Sequence, residues 1–359
     1  MSNNYFPPAE SKGGWRLLSD DDEIRALGGM EPWKLDRMEA MQNQMNGGYE
    51  WQIAIIRNGC LVREVCSYNV QQTMNFSVCS CTKSITSLAF GLLFEDSSKG
   101  LLGDVKIDME SYAYDFIPDA FPLSDPRKKD MKIKHLLSMT SGIAGESLGY
   151  FGVPYDGRHG VFEYMYGKAS DRNGRFVSEL VCEPGGKWDY CDPGFCHLAV
   201  IFKNASGKQM NEYTQERLFA PIGVEGAAWD MIGGSGFIGP YTGTAGWLHL
   251  SAREIARVGY LTMKKGKWGD EQIVPLEYIA MATVPSQDLN RDYGYGFWTN
   301  NAGECWPYLP KDTYAMMGHN SNKCYIIPSL DMVVARVGNG PYNWHEPNFI
   351  TSAVDCVIK

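Results

Sequence analysis

No apolar run in this sequence approaches the length of a membrane span, so an integral helical membrane protein is not expected. Basic residues are not in excess either. The 33 Lys and Arg face 42 Asp and Glu, a net charge of −9, which argues against nucleic acid or an anionic membrane as partner. Residues 1–22 lack a basic stretch followed by an apolar one, so nothing marks the chain for secretion and a cytoplasmic location is expected. Ten cysteines are present, yet no two are spaced as C-x-x-C. That scatter fits free thiols in a reducing compartment and no metal centre, with Cys182, Cys191, Cys196 and His197 coming nearest to a zinc set. Internal repeats and low-complexity tracts are also missing. What remains is globular: 359 residues, 44% hydrophobic and 21% charged, enough for one large domain or two interlocked ones.

Against these absences stands Ser80-Cys81-Thr82-Lys83, an S-x-x-K tetrad opening a segment that reads as a helix over residues 80–94. Positions i and i+3 of a helix share a face, so the Ser80 hydroxyl and the Lys83 amine are expected to be neighbours. A serine hydroxyl becomes a useful nucleophile when an adjacent base takes its proton, and a partly desolvated lysine can do so. Free N–H groups at a helix start favour the oxyanion that forms on attack. Alone, the tetrad is a weak signal, because a helix start followed by a solvated lysine is common.

Two further stretches complete a constellation. In Trp188-Asp189-Tyr190-Cys191-Asp192-Pro193-Gly194, a loop enters a helix. A Tyr190 phenol beside the Lys83 ammonium is expected to have a lowered pKa and to serve as general base and later as acid. The bland alternative is a loop tyrosine anchored by its hydroxyl. Met317-Gly318-His319-Asn320-Ser321-Asn322 reads as the end of a strand that can supply a second oxyanion N–H and bind the acyl chain.

Strand patterns cluster at both ends of the chain. Residues 51–56 and 60–66 flank Arg57-Asn58-Gly59, a strong hairpin signal, and strands return at 294–300, 313–318, 324–327 and 332–337. Helical periodicity marks 31–45, 132–139, 194–204, 210–219, 251–264 and 348–357. The expected class is α+β: an antiparallel five-stranded sheet from residues 1–75 and 285–359, flanked by terminal helices. A mostly helical region, 76–284, is inserted and carries the tetrad helix and the Tyr-x-Asp loop, with the site between the two parts. Gly233-Gly234-Ser235-Gly236-Phe237 imitates a nucleophile elbow but lacks the final glycine, so a glycine-rich loop is the better reading. The loop 145–167, rich in aromatic residues, is a candidate wall of the pocket.

With these motifs in order, the chain resembles the serine β-lactamase/penicillin-binding-protein superfamily, in particular its class C-like branch with the family VIII esterases. Ser80 and Lys83 resemble its first motif, Tyr190-Cys191-Asp192 its Tyr-x-Asn motif, and Gly318-His319-Asn320-Ser321 its third motif. The resemblance covers residue 51 to the C-terminus. It implies the β-lactamase/transpeptidase-like fold and a serine hydrolase that cleaves a small ester or amide through an acyl-enzyme on Ser80, without a cofactor. Lys83 and Tyr190 would share the proton work, and Asp192, His319, Asn320, Ser321 and Asn322 would line the substrate and oxyanion region. Acyl transfer to a non-water acceptor, or a catalytically silent binding module, are the alternatives. Two departures stand out. Asp192 occupies the usual asparagine position, where it either faces Lys83 or caps the following helix. No Lys-Thr-Gly occurs at the third motif, which leaves recognition of a β-lactam carboxylate by that lysine without support.

Overall fold

Asn58 and Gly59 both adopt positive φ, 51° and 78°, the conformation of a two-residue hairpin turn that only residues such as Asn and Gly enter readily. They join β1, Trp51–Arg57, to β2, Cys60–Cys66. The computed structural model describes residues 5–148, 169–170, 176–177, 179–232, 241–341 and 344–358. The loop proposed as a pocket wall lies largely outside the described residues, and the glycine-rich segment at 233–237 lies wholly outside them.

Four strands from the C-terminal part complete the sheet: β3, Trp298–Thr299; β4, Tyr314–Met317; β5, Lys323–Ile327; and β6, Met332–Gly338. The order is β3-β4-β5-β6-β1-β2, antiparallel throughout. The sheet therefore has six strands where five were expected, one for each strand pattern read in the sequence, with the 294–300 pattern reduced to the two-residue edge strand β3. It brings together segments more than 200 residues apart, with Trp51 opposite Gly338 and Arg57 opposite Met332.

Both faces are covered, which explains why β1 and β6 read as continuous apolar runs rather than as alternating ones. Ile53, Ile55, Met332 and Val334 point to a cluster that includes Leu35 and Met38 of α1, Pro32–Met45, and Phe349 and Ile350 of α5, Glu346–Val354. Ala54, Ile56, Val333 and Ala335 face the main core with Ile255, Val258 and Leu261 of α4, Ala252–Met263. Each such aliphatic side chain, wholly buried, contributes about 1.5–3 kcal/mol. Ser251 and Glu254 form a reciprocal capping box that starts α4.

Under this main core lie α2, Thr82–Ser98, and α3, Asp192–Ser206. Phe90 of α2 packs edge-on against Phe202 of α3, with ring centroids 5.5 Å apart. Thr244 and Ala245 run between the two helices: Thr86 donates to the Thr244 carbonyl, and the Thr244 hydroxyl donates to that of Phe195. Among the described residues no helix is long and apolar enough to cross a membrane.

Candidate active site

Ser80 does not stand inside the helix expected of it. It sits in a 3-10 turn, Cys79–Cys81, that leads into α2, with Cys79 at φ 49°. Tertiary contacts impose this geometry. The Val78 N–H donates to the Leu248 carbonyl, and the Thr82 hydroxyl donates back to the Cys79 carbonyl. The tetrad still does what its spacing promised. Lys83 Nζ lies 2.9 Å from Ser80 Oγ.

Lys83 is only 1% exposed. Its ammonium donates to the Ala245 carbonyl at 2.6 Å, pairs with Asp192 Oδ1 at 2.5 Å and faces the Tyr190 ring 4.9 Å from its centroid. A buried ammonium must be offset by a partner charge and by hydrogen bonds, and this one has both. Asp192 is the first residue of α3, but the cap of that helix is the Cys191 thiol, which accepts from the Gly194 N–H at 3.3 Å. Of the two roles considered for Asp192, the geometry corresponds to the one facing Lys83.

Tyr190 is held on both sides. Its carbonyl accepts from the Glu146 N–H at 2.8 Å, while its ring lies nearly parallel to that of Trp298 and edge-on to that of Tyr293. Its hydroxyl shares a hydrogen bond with Ser80. Contrary to the expectation of a lowered pKa, burial and then the Asp192 carboxylate push the phenol well above its usual range, and the Ser80 hydrogen bond offsets this only in part. The resting group is the neutral phenol. The sequence reading counted the lysine beside the ring and gave too little weight to enclosure by Trp188, Tyr293 and Trp298.

The third motif is a turn rather than strand. β4 ends at Met317; the Gly318 N–H donates to the Asn322 carbonyl, and the Asn322 N–H donates to that of His319. Gly318 lies so close to the nucleophile turn that a Cβ there would sit 2.3 Å from the Val78 carbonyl oxygen. Asn320 and Ser321 both take left-handed φ, 55° and 66°. Among the described residues the N–H groups of His319, Asn320 and Ser321 find no backbone acceptor.

A cleft of about 520 Å³ opens over Ser80 and is lined also by Tyr190, Gly318 and His319. Asn320, Ser321 and Asn322, expected to line the same region, are not among its walls. The Asn322 side chain turns inward, donating to the His319 carbonyl at 2.7 Å and accepting from the Gly338 N–H at 2.9 Å. The walls also include Glu146 and Ser147, at the start of the loop expected to wall the pocket, and Trp188, Asp189, Trp298, Met317 and Lys323, which were not among the expected site residues. Trp188 and Asp189 stood within the heptapeptide quoted above, so adjacency to Tyr190 was a usable signal. Half-buried Glu146 has its carboxyl raised by desolvation and by the neighbouring Asp192. Lys323 reaches the cleft from β5, 3.5 Å from Glu346.

The suspected zinc residues do other work. His197 bonds the Pro193 carbonyl through Nδ1 and the Tyr114 hydroxyl through Nε2, which leaves neither nitrogen for a metal. Cys196 is buried, and Cys191 is the helix cap described above.

A lovastatin esterase of Penicillium rubens is 26% identical over 155 residues, 40% of this chain and 37% of that protein's own length. Among solved structures, EstCE1, a hydrolase with promiscuous acyltransferase activity, superposes with a TM-score of 0.66 at 13% identity, covering 91% of this chain and 98% of the other. The octameric penicillin-binding protein homologue of Pyrococcus abyssi gives 0.63 at 19% identity, covering 90% and 76%. At such identities the structural likeness speaks for the fold. The family model described as Beta-lactamase matches residues 35–349, spanning every element of the site, and the chain belongs to the Beta-lactamase family.

Proposed function

We propose that the protein is a serine hydrolase that cleaves a small ester or amide through an acyl-enzyme on Ser80. One observation carries this reading: the Ser80 hydroxyl, lining an open cleft, contacts both a buried lysine and a half-buried tyrosine. In the form whose Lys83–Tyr190 pair has already lost one proton, Ser80 Oγ attacks the substrate carbonyl carbon and its proton passes to that pair. Backbone N–H groups of Ser80 and of the third-motif segment would receive the oxyanion. The phenol of Tyr190 gives its proton to the departing oxygen or nitrogen, the acyl–Ser80 ester forms as that bond breaks, and Lys83 restores the phenolic proton. Water repeats the sequence in reverse and leaves free acid and Ser80. The partial likeness to a lovastatin esterase favours an ester. Likeness to a hydrolase with acyltransferase activity keeps transfer to an alcohol acceptor as a second reading, since both reactions share the acyl-enzyme.

A fluorophosphonate probe tests the assignment. The wild-type protein should be labelled on Ser80, and Ser80→Ala should fold normally and take up no label. A label mapped to a cysteine, or none at all, would show the nucleophile to be wrong. A p-nitrophenyl ester series of increasing chain length, run with and without an added alcohol, then separates hydrolysis from transfer.

A further inference from the structure

Both lysines that reach the cleft already have an acid beside them. Lys83 pairs with Asp192 at 2.5 Å, while Lys323 lies 3.5 Å from Glu346 and donates to the Gly318 carbonyl at 3.4 Å. Asp189 is satisfied as well. It accepts from the Ser147 N–H at 3.0 Å and from the Ser147 hydroxyl at 2.7 Å, and Lys187 donates to that same hydroxyl at 3.1 Å. Glu146 is different. It lines the cleft and is half-buried, yet among the described residues its carboxylate has neither an ion-pair partner nor a hydrogen-bond donor.

A carboxylate so placed is unfavourable without a cation. Partial burial takes water from it, Asp192 and Asp189 repel it, and Lys83 offsets this only in part, so the carboxyl is raised. Its backbone is fixed beside Tyr190, whose carbonyl accepts from the Glu146 N–H at 2.8 Å. Aromatic rings make up much of the rest of the wall. Trp188 and Trp298 both line the cleft, with ring centroids 6.1 Å apart and planes 71° apart. Aromatic faces attract a cation, the more so where water is excluded. A neutral group would gain nothing from the carboxylate, and an anion would be repelled by it.

We infer that the cleft takes substrates bearing a cationic nitrogen, a protonated amine or a quaternary ammonium, which Glu146 holds by charge and the Trp188 and Trp298 rings by their faces. This inference rests on the acyl-enzyme reading above and names its substrate class: an ester or amide that carries an amine on the acyl or the leaving side of its carbonyl. Glu146 is then a specificity residue that takes no part in bond-making. The substrate supplies the partner charge that Glu146 lacks and relieves its repulsion by Asp192. Lys323, already beside Glu346, makes a carboxylate-bearing substrate the poorer fit.

The test compares esters matched in shape and differing in charge. In one pair of p-nitrophenyl esters the acyl chain ends in a trimethylammonium or in the isosteric tert-butyl group. A second pair, of butyrate esters, carries the same two groups on the alcohol. In at least one pair the wild-type kcat/KM should favour the cationic member about tenfold, the size of one partly desolvated charge contact, and through KM rather than kcat. Glu146→Gln should bring that ratio close to one, and Glu146→Lys should invert it. Each ratio is taken within one variant, so a general loss of activity cancels. If Glu146→Gln does not fold, Glu146→Ala takes its place with the same expectation. A wild-type ratio near one in both pairs, or a preference unchanged in the Glu146 variants, would overturn the inference and leave the acyl-enzyme reading intact. Turnover of these esters that persists in Ser80→Ala would overturn both.

Discussion

A single carboxylate sets the electrostatics around Ser80. Asp192 contacts the Lys83 ammonium and raises the Tyr190 phenol, so it favours the protonated phenol. Asp192→Asn removes that charge and leaves the Cys191 cap of α3 in place. The variant should stay active, with the acidic limb of its kcat/KM profile moved to lower pH. A shift of one unit, about 1.4 kcal/mol, is readily measured. An unmoved limb with a lowered melting temperature would assign Asp192 to stability alone. Residue-scale chemistry was the most legible part of the sequence, since Ser80, Lys83 and Tyr190 were found from spacing and resemblance. The ionisation state of Tyr190 was not, because it depends on Trp188, Tyr293 and Trp298, and on how far water is excluded.

At the scale of elements, the contact between the nucleophile turn and the third-motif turn is the joint on which the site depends. Gly318 permits it, since a side chain there would collide with backbone that cannot swing aside. Gly318→Ala should cost about 1–3 kcal/mol of stability as the turns separate. It should also slow fluorophosphonate labelling more than tenfold; labelling at the wild-type rate would mean that the joint does not orient the nucleophile. Element boundaries were read less well than element types. The strand expected over 294–300 shrinks to Trp298–Thr299. One cause is Asn300, whose side-chain amide donates to the carbonyls of Trp306, Leu309 and Pro310, gathering a loop where the pattern suggested more sheet. The start of α2 shifted likewise, because Leu248, far along the chain, captures the Val78 N–H.

Over the whole molecule, burial of histidine ties stability to pH. Enclosure in the core pushes His197 down to about 4, and desolvation does the same to His135 at the start of its own short helix. Both titrate near 6.5 in an unfolded chain. Between about 6.5 and 4 the unfolded state takes up protons that the native state refuses, so stability is complete above this window and is lost as pH falls through it. The urea midpoint should drop clearly from pH 7 to pH 5. His197→Gln should be less stable at pH 7 yet lose less, by about 1–2 kcal/mol, over the same interval. An equal loss in the variant would place the dependence elsewhere. Asp125, held low by Arg127, contributes only at more acidic pH.

The sequence by itself determined the fold class and pointed to Ser80, Lys83 and Tyr190 as neighbours, because those follow from local period and from the spacing of a few reactive side chains. Asn58-Gly59 announced its hairpin for the same local reason. Tertiary structure alone decided what converges on the cleft from distant segments. Glu146, Trp298 and Lys323 line it, and Asp192 turns to Lys83. No local pattern encodes these, since each depends on which elements the long-range pairing of β1 with β6 brings face to face.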